Sequence, residues 1–162
     1  MEIRRFRQGD EEETARVVAE TLRRSNSGDY SPEYIEQTIQ THSAQALLEN
    51  AKQGHFCVIC EGERIVGCGG IAPYWGSETE SILLTIFVLP EYQGRGLGRR
   101  LIETLEEDEY FLRAERVEIP ASITACQFYQ KLGYTYKNGV TVPDGEGCIR
   151  LEKWPKRKVK EG

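Results

Sequence analysis

Apolar positions in the first third of the chain predict helices after one short strand over residues 3–9. One helical face recurs at i, i+3, i+4 and i+7, at Ala15, Val18, Ala19 and Leu22. Asp10 stands where an N-cap residue would start that helix. Ser31-Pro32 opens a second helix, and a weaker helical pattern continues through residues 46–48.

Extended patterns follow these helices. Residues 56–61 and 64–73 predict two strands joined by a turn at Gly62-Glu63. Three glycines interrupt the second strand, which tolerates them where another element packs closely or a bulge intervenes. The aromatic pair Tyr74-Trp75 then lies in a loop that leads into the next strand.

The longest apolar run, residues 81–89, predicts a central strand covered on both faces. Pro90 ends this strand because proline has no N–H to donate. Three glycines then allow a tight turn, and leucines at helical spacing start a helix near Gly96. The first N–H groups of that helix lack intrahelical acceptors, so the turn is typical of a site for a pyrophosphate. A glycine-rich turn that binds nothing is the alternative.

The last third of the chain predicts three further strands and a helix, and the second of these strands starts at Tyr134. Residues 115–119 predict a strand parallel to the central one. Ser122 is expected to cap a helix that Gly133 ends, and its apolar face consists of Ala125, Phe128, Tyr129 and Leu132. After a turn at Asp144-Gly145, residues 149–154 form the last strand. This order predicts an α/β (α+β) fold with a mixed, largely antiparallel sheet of about 6–7 strands flanked by helices.

Composition and charge narrow the class of protein. We expect one domain over residues 1–154 and a basic C-terminal tail over 155–162. A hydrophobic content of 39% describes a soluble protein, and a net charge of −5 argues against nucleic acid as the main partner. No run has membrane-spanning length and no apolar signal segment is present, so we expect no membrane partner and a cytoplasmic location.

The five cysteines are expected to be reduced core residues, because their number is odd and most of them lie in apolar runs. Cys57 and Cys60 have C-x-x-C spacing, but thiols three positions apart on a strand face opposite sides. The sequence has no second pair at zinc-like spacing, so we expect no metal site.

Two motifs resemble those of a known family. Residues 93–98, Gln-Gly-Arg-Gly-Leu-Gly, resemble the Q/R-x-x-G-x-G/A signature of the GNAT superfamily of acetyl-coenzyme A (acetyl-CoA) dependent N-acetyltransferases. Residues 125–134, A-C-Q-F-Y-Q-K-L-G-Y, resemble the family's second signature, A-x-x-F-Y-x-K-x-G-F/Y. The resemblance is specific over 87–134 and covers the strands from Phe56 onward only in outline.

The resemblance implies acetyl-CoA as cosubstrate, with no metal. The pyrophosphate would bind the backbone of the glycine turn, and the strand end before it would pair with the pantetheine arm. The implied cofactor-binding residues are Ile86, Phe87, Val88, Gln93, Gly94, Arg95, Gly96, Leu97, Gly98, Arg99 and Ser122. Ser122 is a departure, because the family often has asparagine where this helix begins.

The implied reaction is direct transfer of acetyl to a primary amine in a ternary complex. It needs a neutral amine, a stabilised oxyanion and a proton for the leaving thiolate. By resemblance Tyr129 donates that proton, since a phenol stays protonated at pH 7. A role in core packing is compatible with this one. The backbone N–H of Val88 would meet the oxyanion.

The general base is less well defined. The family often has a glutamate inside the central strand, where this chain has Ile-Leu-Leu-Thr at 82–85. Glu80 is the preferred candidate, with Glu118 or a water relay as alternatives. Nothing in the sequence places His42 or His55 near the site.

The acceptor is a small-molecule or protein amine that no motif identifies. We expect its lid in the helices between the first two strands, with Tyr30 and Tyr34 as candidates for the wall. The sequence leaves open whether the chain forms a homodimer. Two other classes of function are alternatives: a CoA-binding or regulatory module with a degenerate active site, and a phosphate-binding protein unrelated to acyl transfer.

Overall fold

The structure is a computed structural model that describes residues 1–155. The strands are β1 Glu2–Arg5, β2 His55–Glu61, β3 Arg64–Pro73, β4 Glu80–Val88, β5 Arg116–Ala121, β6 Thr135–Tyr136 and β7 Ile149–Lys153. The helices are α1 Glu11–Ser25, α2 Pro32–Thr41, α3 Ala44–Ala51, α4 Leu97–Leu105, α5 Glu109–Leu112 and α6 Cys126–Lys131. Apart from Pro155, the predicted basic tail lies outside the described residues.

The seven strands form one mixed sheet in the order β1-β2-β3-β4-β5-β7-β6. β4 and β5 are parallel, with Glu80 opposite Arg116, as the crossover pattern predicted. β1 pairs with β2, and β7 with both β5 and β6, in antiparallel register. The predicted mixed, largely antiparallel sheet flanked by helices is confirmed.

The chain divides into two compact units. The first unit comprises Met1–Gly70 and Thr85–Leu105, and the second comprises Ile71–Leu84 and the residues from Glu106 onward. β3 and β4 therefore contribute residues to both units. A single domain over residues 1–154 stays a prediction.

In the first unit, α1 packs against α2 and α3. The buried face of α1 consists of Thr14, Val17, Val18, Thr21 and Leu22. The buried face is rotated about the helix axis relative to the predicted face. Ala15 and Ala19, which the pattern predicted to be buried, are only half-buried. Thr21 Oγ1 donates to the Val17 carbonyl at 2.8 Å, so the core accepts a threonine hydroxyl that the apolar pattern did not include.

Two helix caps predicted from the sequence have different outcomes in the first unit. Ser31 Oγ accepts a hydrogen bond from the Tyr34 N–H at 3.1 Å, which confirms the cap of α2. Asp10 precedes α1 but does not cap it, so that prediction is wrong. Its carboxylate instead accepts from the Arg7 N–H at 2.9 Å and from the Arg4 guanidinium at 2.8 Å.

The glycines of β3 lie where other side chains pack against the strand. A Cβ on Gly69 would lie 2.7 Å from Ile86 Cδ1 and 2.8 Å from Leu101 Cδ2. A Cβ on Gly70 would lie 2.5 Å from the ring of Phe56. The sequence expectation that something packs closely on this strand is confirmed. Gly69 thus lets β4 and α4 approach each other directly within the first unit.

In the second unit, α6 packs against β7. Ser122 does not cap α6, because the helix begins only at Cys126. Its Oγ accepts from the Ala125 N–H at 3.1 Å and so stabilises the turn before the helix. Gly133, with φ +97°, ends α6 as predicted. The buried core of this unit includes Leu83, Phe111, Val117, Ile119, Tyr129, Tyr134 and Leu151.

Candidate functional site

The glycine turn of the first unit exposes backbone in front of α4. Gly94 and Gly96 have φ of +77° and +78°, and a Cβ on either would meet nothing within 4 Å. Gly98 lies in the first turn of α4, where it needs no left-handed backbone. The Arg100 N–H donates to the Gly96 carbonyl at 3.0 Å, so the N–H groups of residues 97–99 have no intrahelical acceptor. Unpaired N–H groups at a helix N-terminus can bind an anion, and the pyrophosphate site at this turn stays a prediction.

Side chains around the turn fix its position. Gln93 Nε2 donates to the Val88 carbonyl at 2.9 Å and to Ser25 Oγ at 3.1 Å. The Arg95 guanidinium lies 5.0 Å from the centre of the buried Tyr92 ring. Gln93 therefore connects the turn to the end of β4. Arg99 is exposed and lies 3.4 Å from Glu103.

β4 has an irregular backbone at Thr85, whose φ is +58°. A β-branched residue rarely adopts this conformation, and it interrupts the alternation of a strand. Cys68 Sγ donates to the Thr85 carbonyl at 3.3 Å. Ile82, Leu84 and residues 85–88 are only half-buried, so the expectation of a strand covered on both faces is wrong. The end of β4 is therefore an apolar segment that side chains cover incompletely.

His42 lies beside this strand end in the first unit. Its ring meets the Phe87 ring edge-on, with centroids 5.7 Å apart and planes at 81°. Its Nδ1 lies 2.8 Å from the Thr38 carbonyl oxygen. The sequence reading missed this position. The available signal was the i, i+4, i+8 spacing of Tyr34, Thr38 and His42 on a helix assigned to the lid.

Tyr129 lies in the second unit on the apolar face of α6 and is 4% exposed. Its ring packs edge-on against Phe128 at 5.1 Å and Tyr134 at 6.4 Å. Burial raises the pKa of the Tyr129 phenol well above its ordinary value, so the hydroxyl is protonated at neutral pH. In the described part of the chain no group hydrogen-bonds to this hydroxyl, whereas Tyr134 donates to Glu106 at 2.8 Å.

The two carboxylates considered as bases belong to one charged cluster in the second unit, consisting of Glu80, Arg116, Glu118, Lys137, Arg150 and Glu152. Arg116 lies 3.1 Å from Glu80, 2.9 Å from Glu118 and 3.0 Å from Glu152. The side chain of Glu118 is 1% exposed.

Glu118 has two further cationic partners, Lys137 at 2.9 Å and Arg150 at 3.2 Å. Burial acts to raise the pKa of Glu118, but the hydrogen bonds from Lys137 and Arg116 outweigh it and hold the pKa below its ordinary value. Both Glu80 and Glu118 are thus paired carboxylates.

The cysteines and other candidate ligands show no further site chemistry. All five cysteines are free, four of them buried and Cys148 half-buried, in agreement with the sequence prediction. Residues 1–155 contain no group of three or more His, Cys, Asp or Glu side chains placed to hold a metal ion. Over the same range, every helix is too short or too polar to cross a membrane.

Comparison with known proteins identifies the class of protein. The model of the acetyltransferase (GNAT) family matches residues 17–134. The N-acetyltransferase YafP of Escherichia coli (strain K12), itself uncharacterized, is 25% identical over 83% of this chain and 81% of its own. An uncharacterized acetyltransferase of Streptococcus pyogenes serotype M1 is 34% identical over 48% of this chain and 54% of its own. This chain therefore belongs to the GNAT family and is an acetyltransferase.

Solved structures share the fold. The PaiA N-acetyltransferase of Thermoplasma acidophilum, in complex with coenzyme A, has a TM-score of 0.80 at 22% identity and covers 94% of this chain and 98% of its own. An aminoglycoside 6'-N-acetyltransferase, also complexed with coenzyme A, has a TM-score of 0.66 at 17% identity. The match covers 94% of this chain and 96% of the aminoglycoside acetyltransferase. Both of these solved structures contain coenzyme A.

Proposed function

We propose that the protein transfers the acetyl group of acetyl-CoA to a primary amine, by direct attack within a ternary complex. The observation that carries this proposal is the exposed glycine turn before α4, continuous with the half-buried apolar end of β4. An anion site joined to an apolar strand end suits a ligand that has a pyrophosphate and an extended acyl arm. The coenzyme A complexes of proteins with the same fold support this assignment.

In the proposed complex, the pyrophosphate accepts hydrogen bonds from the backbone of residues 94–99. Each charge-assisted bond contributes roughly 1.5–3 kcal/mol, and the helix dipole adds to it. The exposed guanidinium groups of Arg95 and Arg99 supply positive charge at the same end of α4. The backbone of Ile86, Phe87 and Val88 pairs with the pantetheine. Ser122 also remains a proposed contact, since its hydroxyl proton is not used by the Ala125 N–H.

The proposed chemistry assigns one proton donor and one oxyanion donor. The Val88 N–H stabilises the oxyanion of the tetrahedral intermediate. Tyr129 gives its phenolic proton to the departing thiolate, and the raised pKa keeps that proton on the phenol until transfer. Glu80 was the candidate base from the sequence. Its ion pair with Arg116 at 3.1 Å argues against this role, because the carboxylate already has a cationic partner within the protein.

The test is a transfer assay. The protein is incubated with acetyl-CoA and separately with a polyamine, an aminoglycoside, free amino acids and a lysine peptide, and products are identified by mass spectrometry. We expect an acetylated amine and an equal amount of free CoA thiol. Calorimetric binding of CoA without any product would instead support the CoA-binding module. Inorganic pyrophosphate binding as tightly as CoA, again without product, would support the unrelated phosphate-binding protein.

A further inference from the structure

The end of α2 places an imidazole beside the proposed acyl-binding strand. His42 follows the last residue of α2, and its ring contacts Phe87, one of the residues whose backbone is proposed to pair with the pantetheine. The His42 ring contacts Thr38 and Thr41 of α2 and Phe87 of β4. None of these three side chains carries a charge. His42 is half-buried, so the ring is held by packing and still meets solvent.

The hydrogen bonds of His42 define its neutral tautomer. Nδ1 lies 2.8 Å from the Thr38 carbonyl oxygen, which can only accept, so Nδ1 carries the proton. The Thr41 hydroxyl, 3.2 Å from the same nitrogen, donates its own proton to the Thr38 carbonyl at 2.8 Å. Nε2 therefore carries the lone pair. Across residues 1–155, nothing hydrogen-bonds to Nε2.

Aromatic side chains extend from His42 along α2. Tyr34, Thr38 and His42 are spaced at i, i+4 and i+8 and share one face of the helix. The Tyr30 ring stacks on the Tyr34 ring, with centroids 4.5 Å apart and planes at 12°. This face therefore offers aromatic surface for the body of an acceptor at one end and a basic nitrogen at the other. It lies in the segment that the sequence assigned to the acceptor lid.

The proposed reaction needs a group that can remove a proton from the acceptor amine. A lysine-like amine is neutral in only about one molecule in 2,500 at pH 7. An imidazole changes charge between pH 5 and 8 and can therefore take up and release this proton at neutral pH. The carboxylates of Glu80 and Glu118 are committed to Arg116 and other cations. The lone pair of Nε2 has no such partner in the described chain.

Resting on the proposed acetyl transfer, we propose that His42 is the general base and that its Nε2 takes a proton from the acceptor ammonium. The freed amine then forms the C–N bond to the acetyl carbonyl carbon, and the C–S bond of the thioester breaks. The nitrogen loses two protons in total. One leaves through Nε2 to solvent. The other is released as the amide forms and replaces, through solvent, the phenolic proton that Tyr129 gives to the thiolate sulfur.

The first test compares pH profiles of kcat/KM for the wild type, His42→Asn and His55→Asn. Asparagine can still donate to the Thr38 carbonyl from the position of Nδ1, so the end of α2 is retained. We expect His42→Asn to be slower by about 10²–10⁴-fold at pH 7 and to lose the limb of the wild-type pH profile that reports the general base. The limb of the pH profile that comes from ionisation of the acceptor amine should remain. His55→Asn, at the start of β2, should behave as the wild type.

A second measurement does not depend on transfer. Nitrogen-15 NMR of the protein saturated with CoA should show the neutral His42 ring with its proton on Nδ1 and with Nε2 bare. A proton on Nε2 overturns the proposal, and so does an active wild type whose rate and pH profile survive His42→Asn. A wild type that acetylates no amine in the panel overturns the proposed function itself, and the role of His42 with it.

Discussion

The glycine turn and α2 of the first unit differ from the charged cluster of the second unit in how their polar groups are satisfied. In the cluster, Glu118 meets three cations within 3.2 Å and is shielded from solvent. In the first unit, the N–H groups of residues 97–99 lack intrahelical acceptors, and Nε2 of His42 has no partner in the described chain. Groups that satisfy one another hold a fold together, whereas groups left over are available to a ligand.

The comparison assigns Glu80 and Glu118 to the structure of the second unit and not to the chemistry of acetyl transfer. Glu80 and Glu118 attract attention in the sequence because acetyl transfer needs a base. Their positions opposite Arg116 and Ile82 in the β4–β5 register make them members of an ion-pair network. A buried charge that loses its partner destabilises a protein strongly, so we expect these carboxylates to have a structural role. The following predictions test this division, beginning with the largest effect.

Gly96→Asp should remove CoA binding, weakening it roughly 10³-fold or more. The substitution puts a side chain on a backbone with φ +78° and a negative charge against the proposed pyrophosphate. Isothermal titration calorimetry measures the affinity. Gly62→Asp is the matched control, because Gly62 has φ +60° and equally open surroundings but lies in the β2–β3 turn. An equal loss of CoA affinity in both variants would show that backbone strain, and not contact with the coenzyme, is responsible.

Tyr129→Phe should slow transfer about 10²–10⁴-fold and leave the dissociation constant of CoA nearly unchanged. The variant removes the proton donor but keeps the ring that packs against Phe128 and Tyr134. Steady-state kinetics and calorimetry separate the two effects. Tyr134→Phe removes a hydroxyl that donates to Glu106, so it should lower stability without this loss of rate. An unaffected rate for Tyr129→Phe would remove Tyr129 from the mechanism.

Glu118→Ala should lower the free energy of unfolding by about 3–5 kcal/mol, because it removes the buried carboxylate that pairs with Arg116, Lys137 and Arg150. Urea denaturation followed by circular dichroism measures the change. Glu80→Ala is the comparison, since its side chain is 35% exposed and Arg116 keeps two other carboxylates. We expect a loss of about 1 kcal/mol or less there. Similar losses for the two variants would contradict the view that Glu118 is the centre of the network.

Stability should fall in acid. The pKa of Glu118 is lower in the folded protein than in the unfolded chain, so the unfolded chain binds the proton first as the pH falls. The contribution is complete above the ordinary glutamate pKa of about 4.3 and is lost as the pH falls through the folded value. Asp10 acts in the same direction, because Arg4 lowers its pKa. Urea midpoints at neutral and acidic pH measure this, and equal midpoints would contradict the network.

Glu80→Gln should have the smallest effect, a change in transfer rate of less than about threefold. Its carboxylate is paired with Arg116 and is not expected to exchange protons with the acceptor. The same kinetic assay measures it beside His42→Asn. A loss of rate as large as that of His42→Asn would identify Glu80 as the general base and contradict the distinction drawn between the two units.

Local patterns predicted much of the fold. The bounds of β3 were predicted as observed, because a run of apolar residues and glycines follows the turn at Gly62-Glu63 and ends at Pro73. The cap at Ser31 and the end of α6 at Gly133 depend only on neighbouring residues. Both family signatures are contiguous in the chain, so the class of protein was also accessible from the sequence.

Features that depend on distant residues were not predictable. Asp10 and Ser122 resemble helix caps locally, but their side chains bind other groups in the folded chain. The left-handed backbone of Thr85 has no local signal, since a β-branched residue disfavours it. The position of His42 beside Phe87 depends on how α2 packs on β4.

The central claim is that the glycine turn and the end of β4 form the acetyl-CoA site. A crystal structure of the protein with CoA tests it most directly. The account predicts the pyrophosphate against the backbone N–H groups of residues 94–99, and the pantetheine alongside residues 86–88. Coenzyme bound elsewhere on the protein, with the turn free, would contradict it.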